Sequence, residues 1–407
     1  MNVLKRTSLF LLLCVLAFIQ AYADALSDFT GSRSINAPKT SVLVIDLEDG
    51  SEILSHNAEL PLIPASIMKC VTTATLLEKT GSGFRYETPV YYTGNLEGGV
   101  IDGNIVVEAS GDPSLNSVHD PESPDFVTEI VDVLLAAGVR EVKGSVVVDE
   151  ERYPGPAVNP LWASGDLGHS YGTGTHGFNF EDNASGKRSV SDPAAIFRSR
   201  LRAAAAAAGI SIGQVDVSNS GHRHRLGRHR SATVDEIMRS CMMRSDNQFA
   251  EAMLRKIGEE YGGEGSVAKG ASEEFKFWKH KKADMKGVSI YDGSGLSRSN
   301  RLTARFMADV LMCMADNPYY ASFFPLAGQE GTLKRFLAGS ALEGLIALKT
   351  GSMSGIQCYA GYKLDENYAP THVVVVMMND MANRTAARSQ VETLLLKTFD
   401  DKSQSGL

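Results

Sequence analysis

Three short elements of this chain hold residue types that could carry acyl transfer. Ser66-Ile67-Met68-Lys69 sets a hydroxyl and an amine three positions apart. On a helix that spacing puts both on one face, where a neutral amine can take the hydroxyl proton and create a nucleophile. A serine in the first helical turn also lies where backbone N–H groups favour an incoming carbonyl. Ser245-Asp246-Asn247 offers a second hydroxyl and a carboxamide. Ser-x-Asn also occurs at Ser34, Ser55 and Ser114, but Ser245 alone falls between helical segments, where a break can aim two polar side chains into a cleft. Lys-Thr-Gly-Ser occurs twice. Lys79 ends the helix that begins at Ser66, about 20 Å away at the helical rise, too far to share a site. Its Gly81 reads as a helix stop. Lys349-Thr350-Gly351-Ser352 instead lies on a strand near the chain end, where Gly351 lets a substrate backbone approach.

The elements that must position these residues are legible from periodicity. Residues 39–55 alternate around Asp49-Gly50, which predicts a hairpin. A helix enters through Pro64-Ala65-Ser66. Residues 86–150 read as short strands (90–93, 105–108, 144–148) around a helix over 124–137. A glycine-rich loop follows over 151–190, and Asp192-Pro193 opens a helix that ends at Gly209. From Thr233 onward helices dominate, until strands at 346–349, 357–364 and 372–378 and a last amphipathic helix over 384–399. The first hairpin and the last strands predict one antiparallel sheet flanked by helices. The expected fold is α/β (α+β), with a discontinuous catalytic domain over 24–85 and 190–407 and one inserted α/β domain over 86–189. The run from Gly221 to Arg230 offers His-x-His without a carboxylate partner in sequence, and it reads as a solvated strand and loop.

Ser66, Ser245 and Lys349 are spaced 179 and 104 residues apart, in the order of the penicillin-recognising serine enzymes. Beyond these motifs the chain resembles the D-alanyl-D-alanine carboxypeptidase/endopeptidase family, the class C low-molecular-mass penicillin-binding proteins. Segments carrying the resemblance are Gly111-Asp112-Pro113-Ser114-Leu115, Asp292-Gly293-Ser294-Gly295-Leu296-Ser297-Arg298, Gly331-Thr332-Leu333 and Tyr359-Ala360-Gly361-Tyr362. It covers nearly all of residues 35–400. It implies a serine β-lactamase/transpeptidase-like domain and an acyl-enzyme on Ser66, with Lys69 as base. Ser245 would relay the proton, Asn247 would hold a substrate amide, and Lys349 would attract the terminal carboxylate. Thr350 and Ser352 would add hydroxyl hydrogen bonds, and the N–H groups of Ser66 and Ser352 an oxyanion hole. The substrates it implies are peptidoglycan stem peptides and β-lactams, with no metal or cofactor. Asp166 and Tyr171 of the insert, with Arg298, would grip the distal end of the stem peptide, and Trp162 fits the same loop. The chain departs from the longer family members in having no room for a second, smaller insert after Asn183.

The remaining features bound this reading. A chain of 407 residues, 43% hydrophobic and with a net charge of −8, can build two or three cores and lacks the basic footprint of a nucleic-acid binder. Lys5-Arg6, the apolar run 9–19 and Ala21-Tyr22-Ala23 predict a signal peptide over 1–23, export to the periplasm, and no transmembrane anchor in the mature chain. Cys70, Cys241, Cys313 and Cys358 are expected to be mainly buried thiols, with one disulfide left open. A class A β-lactamase would need Glu-x-x-x-Asn between Asn247 and Lys349 to activate the deacylating water; Asn300 and Asn317 follow Leu296 and Cys313 instead. A catalytically silent wall binder would have no use for the lysine beside Ser66.

Overall fold

The computed structural model describes residues 20–119, 123–218 and 222–399. Most of the expected leader lies outside the described residues. A helix over 20–31 (α1) leads into strand β1 (Thr40–Asp46), and the Asp49-Gly50 turn returns it as β2 (Glu52–His56). Gly50 has φ 76°, a left-handed conformation that glycine adopts without steric cost. A 3-10 turn over Ala65–Ile67 then runs into α2 (Met68–Thr80), which Gly81 stops with φ 78°.

The chain next leaves for the inserted unit. Its main sheet holds β3 (Glu87–Tyr92), β4 (Ile105–Glu108) and β5 (Val146–Asp149), with α3 (Phe126–Ala136) between the last two. The helix α4 (Pro193–Ala207) is capped by the Asp192 side chain, and β6 (His224–Arg230) closes the sheet in the order β6-β3-β4-β5. The insert therefore extends beyond the expected limit at residue 189. Phe197, Leu201, Ala205 and Ile210 are buried in one core with Val107, Phe126, Ile130 and Phe178, and β6 pairs antiparallel with β3. Between Asn183 and α4 there is only a ribbon pairing Ala184–Ser185 with Arg188–Ser189. On β6 the arginines meet acids at the surface (Arg228 and Arg230 with Glu87), while His229 turns inward to Glu129.

Helices α5 (Val234–Arg244), α6 (Asn247–Gly262), α7 (Val267–His280) and α8 (Ala304–Met314) follow. The chain then lays down β7 (Ile346–Met353), β8 (Ile356–Leu364) and β9 (Pro370–Met378) and ends on α9 (Arg384–Phe399). The five-stranded antiparallel sheet has the order β7-β8-β9-β1-β2, so the first and last strands share it and β7 forms one edge. Alternate residues feed two cores. Val375, Ala360 and Ala347 face α2, α5, α6 and α8, whereas Val374, Tyr359 and Leu348 face α1 and α9. Among the described residues the four cysteines are free thiols; Cys70, Cys241 and Cys358 are buried, but Cys313, on the outer side of α8, is exposed. No helix among the described residues is long and apolar enough to cross a membrane.

Candidate active site

Ser66 sits in the 3-10 turn at the mouth of α2, and the turn is held in a strained shape. Ala65 has φ 48°, and the edge strand β7 presses against the same turn. A Cβ on Gly351 would lie 2.6 Å from the Pro64 carbonyl and 3.0 Å from the Ser66 nitrogen, so glycine is needed there for the strand to come this close. The approach brings the Lys349 segment beside the Ser66 hydroxyl.

The Ser66 and Lys69 side chains meet, as the spacing predicts. Lys69 Nζ donates to Ser66 Oγ at 3.1 Å, to Asn247 Oδ1 at 2.6 Å and to the Ser294 carbonyl at 2.7 Å. Lys69 is fully buried, and that burial lowers its proton affinity, opposed by Cys241 and the carboxylates of Asp246, Asp292 and Glu251. Across the site Lys349 Nζ donates to Ser245 Oγ at 2.9 Å and to the Thr350 carbonyl at 2.8 Å. Burial, then the charge of Lys69, brings Lys349 down to about 7. Ser245 lies in the break between α5 and α6 with φ 61°, and its left-handed backbone turns the chain so that Ser245 and Asn247 both meet lysines. The second Lys-Thr-Gly-Ser copy is elsewhere: Lys79 Nζ stacks 3.8 Å over the Tyr261 ring.

Not every expected role has a free group to fill it. Both ends of the Asn247 carboxamide are engaged, Oδ1 with Lys69 and Nδ2 with the Tyr171 carbonyl at 2.7 Å. Tyr171 is 48% exposed, and its hydroxyl donates to Asp166 Oδ1 at 3.3 Å. Asp166 and Tyr171 are thus tied to the Ser66–Lys69–Asn247 cluster through one backbone carbonyl. Arg298 reaches the Ser354 carbonyl at 3.1 Å, just past β7. Trp162 is buried, and its Nε1 donates to Asp292 Oδ2 at 2.9 Å, which makes it an anchor for the loop. Thr350 Oγ1 donates to Thr332 Oγ1 at 2.9 Å, and Ser352 Oγ to Gln357 Oε1 at 3.1 Å.

Sequence reasoning missed the support behind Lys69. Glu251 Oε1 accepts the N–H groups of Gly293 and Ser294 at 3.1 and 2.9 Å, fixing the turn whose carbonyl holds Lys69. Asp292 accepts from Gly295 N, Ser297 N and Asn300 Nδ2 and rigidifies the same turn. Burial and the neighbouring Asp292 raise Glu251 to about 8. Its place one helical turn after Asn247 was the available signal, since that spacing returns it to the same face of α6.

A buried lysine beside a helix-start serine, with a second lysine–serine pair facing it across a glycine edge strand, is an arrangement able to carry acyl transfer through a serine. Residues 23–185 and 180–398 match the model of the D-Ala-D-Ala carboxypeptidase 3 (S13) family, and the chain belongs to that family. It is a penicillin-binding serine hydrolase of the D-Ala-D-Ala carboxypeptidase type that acts on peptidoglycan. Among relatives, the chain is 29% identical to the carboxypeptidase DacB of Mycolicibacterium smegmatis, over 80% of this chain and 73% of that one. It is 26% identical to a D-alanyl-D-alanine carboxypeptidase of an Actinomadura species, over 84% of this chain and 80% of the relative. Penicillin-binding protein 4 (dacB) of Haemophilus influenzae has the same fold, with a TM-score of 0.78 at 19% identity, covering 93% of this chain and 99% of the other.

Proposed function

We propose that Ser66 is the acylated residue and that Lys69 and Lys349 divide the proton traffic. Neutral Lys69 takes the Ser66 proton as Oγ attacks the carbonyl of the penultimate D-Ala. The N–H groups of Ser66 and Ser352 hold the oxyanion. Ser245, hydrogen-bonded to Lys349, passes a proton to the departing amine as the C–N bond breaks. Lys349 restores the proton that Ser245 gave up. Water then attacks the ester and passes a proton to the now neutral Lys349, while protonated Lys69 returns a proton to the departing Ser66 Oγ, so the enzyme ends as it began. With a β-lactam the leaving amine stays tethered to the acyl group, so the acyl-enzyme persists. The Haemophilus protein has also been solved with a β-lactam. The observation that carries this reading is the 3.1 Å contact between Lys69 Nζ and Ser66 Oγ.

The same reading extends to cross-links, where the leaving amine belongs to a neighbouring stem, and to Asp166, Tyr171 and Arg298 as the grip on the distal end of the stem peptide. It places the enzyme in the periplasm after cleavage following Ala23, which leaves the buried Ala25 and Phe29 of α1 in place. N-terminal sequencing of the mature protein should begin at Asp24. The deciding experiment compares acylation by labelled penicillin with hydrolysis of stem pentapeptide and of a cross-linked muropeptide dimer. Ser66→Ala should abolish all three, and Lys349→Ala should cripple them where Lys79→Ala does not. Asp166→Ala should lower kcat/KM on the peptides more than about tenfold while leaving penicillin acylation little changed. Labelling at another serine in Ser66→Ala, or equal losses in the two lysine variants, would defeat the assignment.

A further inference from the structure

A cleft of about 680 Å³ begins at Ser245 and Asn247 and lies between the α5–α6 junction and the insert. One wall carries Glu181 and Asp182, from a run of three successive non-glycine residues, Glu181 to Asn183, with φ 50°, 58° and 48°. Surrounding contacts enforce that turn: buried Asn183 donates to the Gly174 carbonyl and to Asn179 Oδ1, and Asp182 accepts from Ser117 Oγ. Facing it, two groups lack the partners their chemistry calls for. Gln248 is 4% exposed, and neither end of its carboxamide makes a hydrogen bond among the described residues. A buried amide is ordinarily paired, because leaving it unpaired costs free energy. Asn247 and Gln248 are successive residues in the first turn of α6, so their side chains diverge by about 100°. Asn247 turns to Lys69, and Gln248 lines the cleft. Arg244, at the end of α5, is exposed and donates to Ser240 Oγ of its own helix, with no carboxylate partner among the described residues. Arg200, across the cleft, is by contrast closed on Glu181 through bonds of 2.6 and 2.9 Å. A carboxamide presents one donor and one acceptor edge, the complement of a peptide backbone, and an unpaired guanidinium is the complement of a carboxylate.

We propose that this cleft receives the leaving peptide when the bond cut is a cross-link, with Gln248 pairing to its backbone and Arg244 to one of its free carboxylates. The proposal rests on the reading that Ser66 is acylated and that Ser245 protonates the leaving amine. The chemistry is that of the simple substrate. The C–N bond breaks, the acyl group stays on Ser66 Oγ, and the amine leaves with the proton that Ser245 passes. What differs is the body behind the amine. A departing D-Ala is one residue long, whereas a departing stem peptide needs room for several more, and the cleft opens at Ser245. The flexible Gln248 side chain swings its carboxamide from a packed position, where it has no partner, toward the peptide that supplies one. The enforced turn opposite gives the peptide a wall that is already formed.

The test compares two substrates with the same acyl half and different leaving halves: a stem pentapeptide, which releases D-Ala, and a cross-linked muropeptide dimer, which releases a stem peptide. Gln248→Met keeps the volume and removes the amide. It should lower kcat/KM on the dimer by about tenfold or more and on the pentapeptide by about twofold at most. The free protein has no hydrogen bond to lose there, so the unfolding midpoint should hold or rise, where a structural role would make it fall. Arg244→Gln changes an exposed residue and should lower the dimer-to-pentapeptide ratio at least about threefold, mainly through KM. Arg244→Lys should recover part of that loss, because it restores the charge without the fork. Equal losses on both substrates, or an unchanged ratio in both the Gln248 and Arg244 variants, would overturn the proposal. So would a parent enzyme that hydrolyses the pentapeptide but leaves the dimer intact, a result that spares the Ser66 reading. Ser66→Ala tests that reading separately: activity surviving in that variant sinks the acyl-enzyme assignment whatever the cleft variants do.

Discussion

Lys69 has three acceptors and is fully buried, and this decides how it can work. An ammonium in that pocket is satisfied by Ser66, Asn247 and Ser294 but must forgo hydration; burial therefore favours the neutral amine, while the surrounding acids limit the drop. The sign of the consequence is fixed. A base with a lowered proton affinity becomes competent at lower pH, so penicillin acylation should rise with pH along a limb below the ordinary range of lysine. Lys69→Arg should lose acylation by at least about a hundredfold at every pH, because a guanidinium does not give up its proton and general-base assistance is worth at least that much. Stopped-flow acylation across the neutral range checks both statements. A limb at ordinary lysine values, or an active arginine variant, would remove Lys69 from the role of base. Glu251 and Asp292 serve this residue indirectly, through the turn that carries the Ser294 carbonyl.

At the scale of elements, the cluster around Ser66 depends on three turns meeting, two of them strained. Ala65 and Ser245 are both left-handed non-glycine residues, and such conformations persist where surrounding contacts enforce them. Gly295, in the turn behind Lys69, has φ 81°, and a Cβ there would fall 1.8 Å from the Ala65 carbonyl. Gly295→Ala should therefore destabilise the protein by about 2 kcal/mol or more, from the left-handed penalty and the clash with the Ser66 turn. Denaturant unfolding measures the loss, and the surviving folded fraction should acylate slowly, since the clash displaces the nucleophile. A variant as stable and as reactive as the parent would show that the turn does not brace Ser66. These relations explain what was legible in sequence. Helix α2, the first hairpin and strands β7 to β9 carry local periodicity and glycine punctuation, so they could be read. The limit of the insert could not. α4 and β6 look like ordinary elements after a loop, and they are assigned to the insert by Phe197 and Leu201 entering its core and by β6 pairing with β3, contacts between residues far apart in the chain. The paired serines and lysines were legible because the motifs name them; the support of Glu251 behind Lys69 was not, because it acts through a turn more than forty residues away in the chain.

The whole molecule must hold the loop of the insert against the catalytic domain, and one side chain spans that boundary. Arg255 on α6 is 1% exposed. Its guanidinium donates to the carbonyls of Gly265, Tyr153, Pro154, Pro156 and Thr175, four of which belong to the loop that continues to Trp162, Asp166 and Tyr171. The five N–H donors of arginine are the complete set available to any side chain, and here each finds an acceptor or shares one. Trp162 adds a second tie through Asp292, and Asn159 a third by donating to the Tyr291 carbonyl. Replacing Arg255 with Met keeps much of the volume but strands several buried carbonyls, which should cost about 3 kcal/mol or more. Lysine should rescue little, having three donors and no fork. The functional effect should be uneven. Loosening residues 153–175 displaces Asp166 and Tyr171, which meet the peptide in the proposed function, but leaves Lys69, Ser66 and Lys349 on the rigid sheet and helices. Arg255→Met should therefore lose more kcat/KM on stem peptides than on penicillin acylation, and a protease should cut the 153–175 loop faster than in the parent. Equal losses on both substrates with an unchanged cleavage pattern would mean that Arg255 supports the fold as a whole and that the loop is held by its other ties.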